Sequence, residues 1–148
     1  MARNWRWRNV PLPELHISAL VAAECAHWLS PWRLHKGSRA AISLGWFLLV
    51  VGVGSCIWAV QTAGNARIDR SDTLLTHGPY TYTRNPMYVG WMLILVGISL
   101  IQNTAWLFLT LPLVGIGTDR SIRREEDALV ERFGDTYREY LGTVPRYL

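Results

Sequence analysis

The run from Ala40 to Val60 constrains this chain most, with about twenty residues in succession and no charge among them. As a helix rising 1.5 Å per residue, it is long enough to cross roughly 30 Å of hydrocarbon. Half of the 148 residues are hydrophobic, only 18% are charged and eight are tryptophan, an unusual balance for a soluble domain. The formal net charge of +4 comes from arginine-rich clusters beside apolar blocks, the placement expected of charges that anchor spans. No basic stripe is separable from the apolar segments, which argues against nucleic-acid binding. The length fits one domain over 1–148, with N-terminal membrane helices over 1–66 and a hairpin plus a C-terminal helix over 67–148.

Gly45, Gly52 and Gly54 lie along the charge-free run, where glycine lets a neighbouring helix come close. The G-V-G-S segment is not a dinucleotide fingerprint, because Ile57 stands where a third glycine is needed and no strand precedes it. Cys25 and Cys56 sit inside apolar segments as small buried side chains, and no spacing suggests a disulfide framework or a metal site. The N-terminus has no apolar core directly behind its charges and no small-residue cleavage site, so a cleaved signal peptide is not expected. Alternating Trp5, Arg6, Trp7 and Arg8 suits an interfacial anchor, the alternative being a disordered basic tail. Glu14 to Trp32 is apolar from Ile17 to Ala23 but carries Glu14, His16, Glu24 and His27, so it either spans, lies along the interface or packs against the other helices. His16 and His27 read as packed or interfacial histidines rather than ligands. A short basic connection with a Gly37-Ser38 break leads from there into the charge-free run.

Gln61 to His77 is a charged connection carrying Arg67, Asp69, Arg70 and Asp72, with Gly64-Asn65 a plausible helix stop. His77-Gly78-Pro79-Tyr80 is a turn signature, and Pro86 suits the first position of a new helix while disfavouring helical backbone at Asn85. Met87 to Gly117 is apolar except for Gln102-Asn103-Thr104, which predicts a helical hairpin with two legs of about fifteen residues. Each leg reaches about 22 Å, short of a comfortable crossing, and Pro112, Gly115 and Gly117 could bend the second. Thr118 to Leu141 reads as an amphipathic helix, with Ile122, Leu129, Val130, Phe133, Tyr137 and Tyr140 on one side and Gly134 as a weak point. At least one of Glu125 and Glu126 points toward its buried face. The arginine-rich stretches 67–84 and 120–124 lie on one side of the hairpin, which makes that side cytoplasmic by the positive-inside tendency. The basic connection at 33–39 conflicts with this if Ala40 to Val60 crosses fully.

Leu74 to Tyr88 is dense in aromatic, turn-forming and ionisable groups, and structured polar backbone at a membrane edge needs protein or ligand to satisfy it. The hairpin should bring it beside 119–126. Together they offer cations (Arg84, Arg120, Arg123, Arg124), acceptors (Asp119, Glu125, Glu126) and rings (Tyr80, Tyr82, Tyr88). That mix suits a ligand with a carboxylate, an amino or sulfonium cation and a planar ring. The bland alternative is a collar of snorkelling arginines paired with glutamates.

L-x-T-H-G-P-Y, then R-N-P-M-Y-V-G, then R-E-E followed by F-G-x-x-Y-x-x-Y and V-P-R, resembles the isoprenylcysteine carboxyl methyltransferase family and its phospholipid N-methyltransferase relatives. The resemblance covers about residues 70–148 and implies an all-α integral-membrane bundle of about four membrane helices. Its C-terminal amphipathic helix would cover a cytosolic S-adenosylmethionine pocket, and its methyl acceptor would be lipophilic: an isoprenylcysteine-like carboxylate, a thiol or a phospholipid amine. By position, cofactor contacts fall on Leu74, Leu75, Tyr80, Asn85, Pro86, Met87 and Tyr88, and His77, Gly78 and Arg84 of the same stretch complete the candidate set. Glu125 and Glu126 resemble the pair that acts near the acceptor, with Arg120 or Arg124 as the accompanying arginine. Where the family usually has histidine, this chain has Asn85, which can donate a hydrogen bond but carries no proton at neutral pH. Two other readings compete: an NADPH-dependent membrane reductase of the sterol reductase type, and a non-catalytic membrane binding module.

Overall fold

The computed structural model describes residues 14–69 and 74–148, without the side chains of 65–69. The expected interfacial anchor at Trp5 to Arg8, and the charges of Arg67, Asp69, Arg70 and Asp72, lie outside what is described. Among the described residues the chain is all-helical: α1 (Glu14–Leu29), α2 (Arg39–Asp69), α3 (Pro86–Gln102), α4 (Ala105–Phe133) and α5 (Asp135–Thr143), with a 3-10 turn at Gly78–Thr81.

The α2–α3 contact is dictated by glycines two helical turns apart on each partner. Gly45 lies against Gly97 and Gly52 against Gly90, so the helices run antiparallel. A Cβ at Gly52 would stand 2.6 Å from the Gly90 carbonyl oxygen, and one at Gly97 2.7 Å from that of Gly45. No side chain fits there, and the bare backbones pack directly on each other. Gly54, expected to share this role, meets nothing within 4 Å. Its face points away from α3, since nine residues from Gly45 is half a turn out of phase.

Across from this seam, α1, α3 and α4 share a core of Ala23, Leu95, Leu107 and Val114, with Leu20, Met92, Ile98 and Leu111 packed against it. At the end of the bundle where α3 turns into α4, Asn103 takes the left-handed conformation (φ 58°, ψ 44°) that ends α3. Its side chain accepts from the His35 backbone N–H (2.7 Å) and donates to the His35 carbonyl (2.7 Å). The Trp106 indole donates to the Ser30 carbonyl (2.6 Å). The 30–35 connection is thereby laced to the hairpin turn, far from the 77–88 stretch.

Two expectations need correction. First, α4 runs without a break through Pro112 and past Thr118, so the second hairpin leg and the amphipathic segment form one helix. A single buried stripe explains it: Leu107 and Val114 lie seven residues apart, and Val114, Thr118, Ile122 and Glu126 follow at four-residue steps. The break comes at Gly134, whose φ of 56° and ψ of −128° separate α4 from α5. Second, α2 does not stop at Gly64-Asn65 but continues to Asp69. Gly64 is buried inside the helix instead of capping it. The expectation of about four membrane helices is met in part. Among the described residues, one helix, Arg39–Gly64, is long and apolar enough to cross a membrane, and Pro86–Gln102 is a shorter apolar helix. Exposed side chains around the bundle are nonetheless largely apolar, with Val50 at 67%, Leu113 at 70% and Trp28 at 88%.

Candidate active site

The hairpin's open end gathers the start of α3, the middle of α4 and the C-terminal tail. His77 is extended and Gly78 adopts φ +65°, where a Cβ would also stand 2.9 Å from Thr62 Oγ1. Glycine is therefore required both by the turn and by the closeness of α2. Pro79 is buried, and the Tyr80 carbonyl accepts a 2.6 Å hydrogen bond from the Tyr140 hydroxyl, tying the turn to α5. Burial pushes the Tyr140 phenol up to about 12, with the neighbouring Tyr137 adding to the shift. Tyr82 is exposed, its ring 6.4 Å from that of Trp58.

The next residues are held by the tail. Arg84 N–H donates to the Pro145 carbonyl (3.0 Å), and Thr83 Oγ1 (3.0 Å) and Asn85 Nδ2 (3.2 Å) both donate to the Arg146 carbonyl. Asn85 thus spends its amide on the tail, a structural use that needs no titrating group. Pro86 opens α3, where it forfeits no helical hydrogen bond. Ser55 donates to the Pro86 carbonyl (3.1 Å), and Cys56 lies 3.6 Å from that of Met87.

The two glutamates part company. Glu126 is 7% exposed and is clasped by two arginines: Arg84 Nη2 at 3.3 Å and Arg146, whose Nε and Nη2 donate at 3.1 and 2.6 Å. Glu125, one residue earlier and about 100° around the helix, is exposed and accepts a 2.9 Å hydrogen bond from the Tyr88 hydroxyl. Asp119 extends the polar cluster toward solvent, bonded by Arg123 (2.7 Å), Tyr147 (3.1 Å) and Arg146 (3.4 Å). The Arg123 hydrogen bond, helped by Tyr147 and the charge of Arg146, holds its carboxyl below the ordinary value.

So Tyr88, Glu125, Glu126 and Arg84 meet, with Tyr80 and Asn85 joined to them through α5 and the tail. Arg84 is committed to Glu126 rather than standing free, although its Nε is buried without a partner. Arg120 is exposed, and no hydrogen bond or ion pair joins it, Leu74, Leu75 or His77 to the glutamates among the described residues. Sequence reasoning missed Arg146. The V-P-R tail was visible, but only tertiary contact shows its guanidinium returning to Glu126.

A sequence profile described as phospholipid methyltransferase matches residues 40–136. The chain belongs to that family. Protein-S-isoprenylcysteine O-methyltransferase of Mus musculus is 33% identical over 109 residues, covering 66% of this chain and 38% of that protein. The Homo sapiens protein of that name is 32% identical over 115 residues, with the same coverage. The Xenopus laevis one is 36% identical over 96 residues, or 59% of this chain and 33% of the relative. The chain therefore spans less than two fifths of the length of these relatives. No solved structure matches it. Within the phospholipid methyltransferase match lie α2, α3, α4 and the Tyr88–Glu125 contact, whereas α1 and the Arg146 tail fall outside it.

Proposed function

We propose that this phospholipid methyltransferase family member transfers a methyl group from S-adenosylmethionine to a lipophilic acceptor at the membrane surface. The observation that carries this reading is the Tyr88–Glu125 hydrogen bond. It joins the R-N-P-M-Y turn to the R-E-E segment, 37 residues away along the chain. The relatives' name, an O-methyltransferase of protein-S-isoprenylcysteine, supports methyl transfer and a lipophilic acceptor.

The donor set fits the cofactor. Its cationic centre can lie near the exposed Glu125 carboxylate and the Tyr88 ring, and Arg84 keeps an unpartnered buried Nε that suits a carboxylate. When bound, S-adenosylmethionine supplies an electrophilic methyl group. The chain's own work is positioning and exclusion of water, which suits an in-line displacement. Tyr88 fixes the direction of the Glu125 carboxylate, and Glu125 orients the acceptor or takes its proton. Glu126, clasped by Arg84 and Arg146, keeps α4, the turn and the tail in register. Gly78, Tyr80, Asn85, Pro86 and Met87 shape the cofactor side, with Leu74, Leu75 and His77 along its approach. Arg120, exposed on α4, is placed to meet an anionic acceptor or headgroup.

In this reading α1, α2, α3 and the first half of α4 lie in the bilayer, and the hairpin's open end faces the cytoplasm. The outward apolar side chains of α2 and α4 support it. Calorimetry in detergent tests the cofactor: S-adenosylhomocysteine binds, whereas NADPH binding would indicate a reductase and binding of neither a non-catalytic module. Labelled-methyl incorporation tests the site. Tyr88→Ala and Glu125→Ala each abolish transfer in a folded protein, and wild-type rates in both variants would remove the assignment.

A further inference from the structure

His16, on α1 and outside the family match, packs against the ring of Tyr88, whose hydroxyl donates to Glu125. It is 1% exposed, and its ring lies 6.3 Å from that of Tyr88 at 29° and 6.2 Å from that of Trp91. Among the described residues, neither of its ring nitrogens has a hydrogen-bond partner. A neutral imidazole carries one donor and one acceptor, and burying both unmet is costly, so native proteins rarely retain such a group without a use or a bound partner. A second orphan stands close by. Leu15 seats its methyl on the bare Cα of Gly117, and Thr118, the next residue on α4, buries an unpartnered Oγ1. His16 and Thr118 thus each stand one residue from the same α1–α4 contact, with hydrogen-bonding capacity unspent.

We propose that His16 is a further residue of the active site, its imidazole aligning the Tyr88 ring and offering a free ring nitrogen to the polar head of the lipophilic acceptor. The proposal rests on the methyltransferase reading above. Glu24 Oε1 and His27 Nδ1 are also buried without partners, but they lie two and three turns further along α1, toward the end laced to the hairpin turn. Of these α1 side chains, His16 is the one whose ring meets Tyr88. Simple packing does not account for it, since an apolar ring would fill the same space between Tyr88 and Trp91 without two orphaned nitrogens.

The test uses the full chain in lipid nanodiscs. Labelled S-adenosylmethionine is supplied with one of three acceptors: N-acetyl-S-farnesylcysteine, phosphatidylethanolamine or a long-chain alkyl thiol. His16→Phe preserves the packing and His16→Gln preserves a hydrogen-bonding head. We expect His16→Phe to bind S-adenosylhomocysteine within about threefold of the parent. Its kcat/KM for the methylated acceptor should fall at least tenfold, mostly through KM, and His16→Gln should recover part of the loss. In histidine-labelled protein the His16 imidazole nitrogen resonances should move when that acceptor is added, a response that packing alone does not give. Unchanged kcat/KM in His16→Phe, or unmoved resonances, overturns the His16 assignment while leaving the methyltransferase reading intact. A parent chain that fails to bind S-adenosylhomocysteine, or that methylates none of the three acceptors, overturns that reading and the assignment with it.

Discussion

The Arg84–Glu126–Arg146 clasp makes the sharpest energetic demand on the fold. The Glu126 side chain is 9% exposed, that of Arg84 10% and that of Arg146 25%. Removing one partner of a fully buried ion pair costs about 3–5 kcal/mol, mainly because the survivor is left uncompensated. In Arg146→Met the Glu126 carboxylate keeps Arg84 at 3.3 Å, and the lost group was a quarter exposed, so roughly half of that, about 2 kcal/mol, is expected. Glu126→Gln leaves two guanidiniums facing each other and costs a similar amount. Neither loss is independent, because once the carboxylate is gone Arg146 has only the longer Asp119 contact to forfeit. The double variant should therefore fall short of the summed singles by about 1.5 kcal/mol. For a chain of this size about 2 kcal/mol is a drop of roughly 4–8 °C in Tm, readable as thermal unfolding in detergent. Limited proteolysis should show the tail released first. Losses that add within about 0.5 kcal/mol, or a parent-like melt for Arg146→Met, would refute the clasp.

The glycine seam predicts that Gly52→Ala or Gly97→Ala forces α2 and α3 apart and destabilises by about 1–3 kcal/mol in the same melt, because each added Cβ meets a backbone oxygen within 2.7 Å. Gly54→Ala, with open space around it, should be neutral or stabilising by up to about 1 kcal/mol. Gly134→Ala has room but must adopt φ 56°, so it should cost about 1–2 kcal/mol, whereas Gly142→Ala, also in open space and without that φ, should not. The lowered carboxyl of Asp119 fixes the sign of a pH effect. Its contribution is present above the ordinary value of 3.8 and is lost as pH falls below that through the lowered folded value. Melts between neutral pH and pH 3 should show Asp119→Asn losing less stability on acidification than the parent.

Much of this geometry is legible in the sequence because it rests on local rules. The charge-free run marks α2, Pro86 opens α3, and Gln102-Asn103-Thr104 between two apolar legs marks the hairpin turn that the left-handed Asn103 makes. The hairpin in turn brings 84–88 beside 119–126. What the sequence hides depends on a partner element. Gly52 and Gly54 look alike until α3 lies along one face of α2. The continuation of α4 through Pro112 follows from a buried stripe whose polar members, Thr118 and Glu126, do not register as hydrophobic periodicity. Arg84 and Arg120 look equally free in a list of cations, yet the tail's placement draws one into an ion pair and leaves the other exposed. Arg146 lies 20 residues beyond Glu126, past the end of the last helix, and no periodic pattern reaches it.

In the proposed reading, the adjacent glutamates divide into one structural and one chemical carboxylate. Consecutive residues diverge by about 100°, so only one of the two can face the bundle. Glu126 does, and its charge is tolerable there because two guanidiniums surround it. Its oxygens are taken up by those guanidiniums, which leaves it little capacity to hold an acceptor. Glu125 faces outward, touches one hydroxyl and keeps lone pairs free for an acceptor. The two isosteric changes should therefore separate cleanly. Glu125→Gln should melt within about 0.5 kcal/mol of the parent, as a surface change does, while losing about 10²-fold in methyl incorporation. Glu126→Gln should lose stability first, and any activity it loses should track the fraction unfolded as temperature is lowered. If Glu126→Gln proves fully folded yet inactive while Glu125→Gln turns over normally, the roles are reversed and the acceptor must approach from inside the clasp.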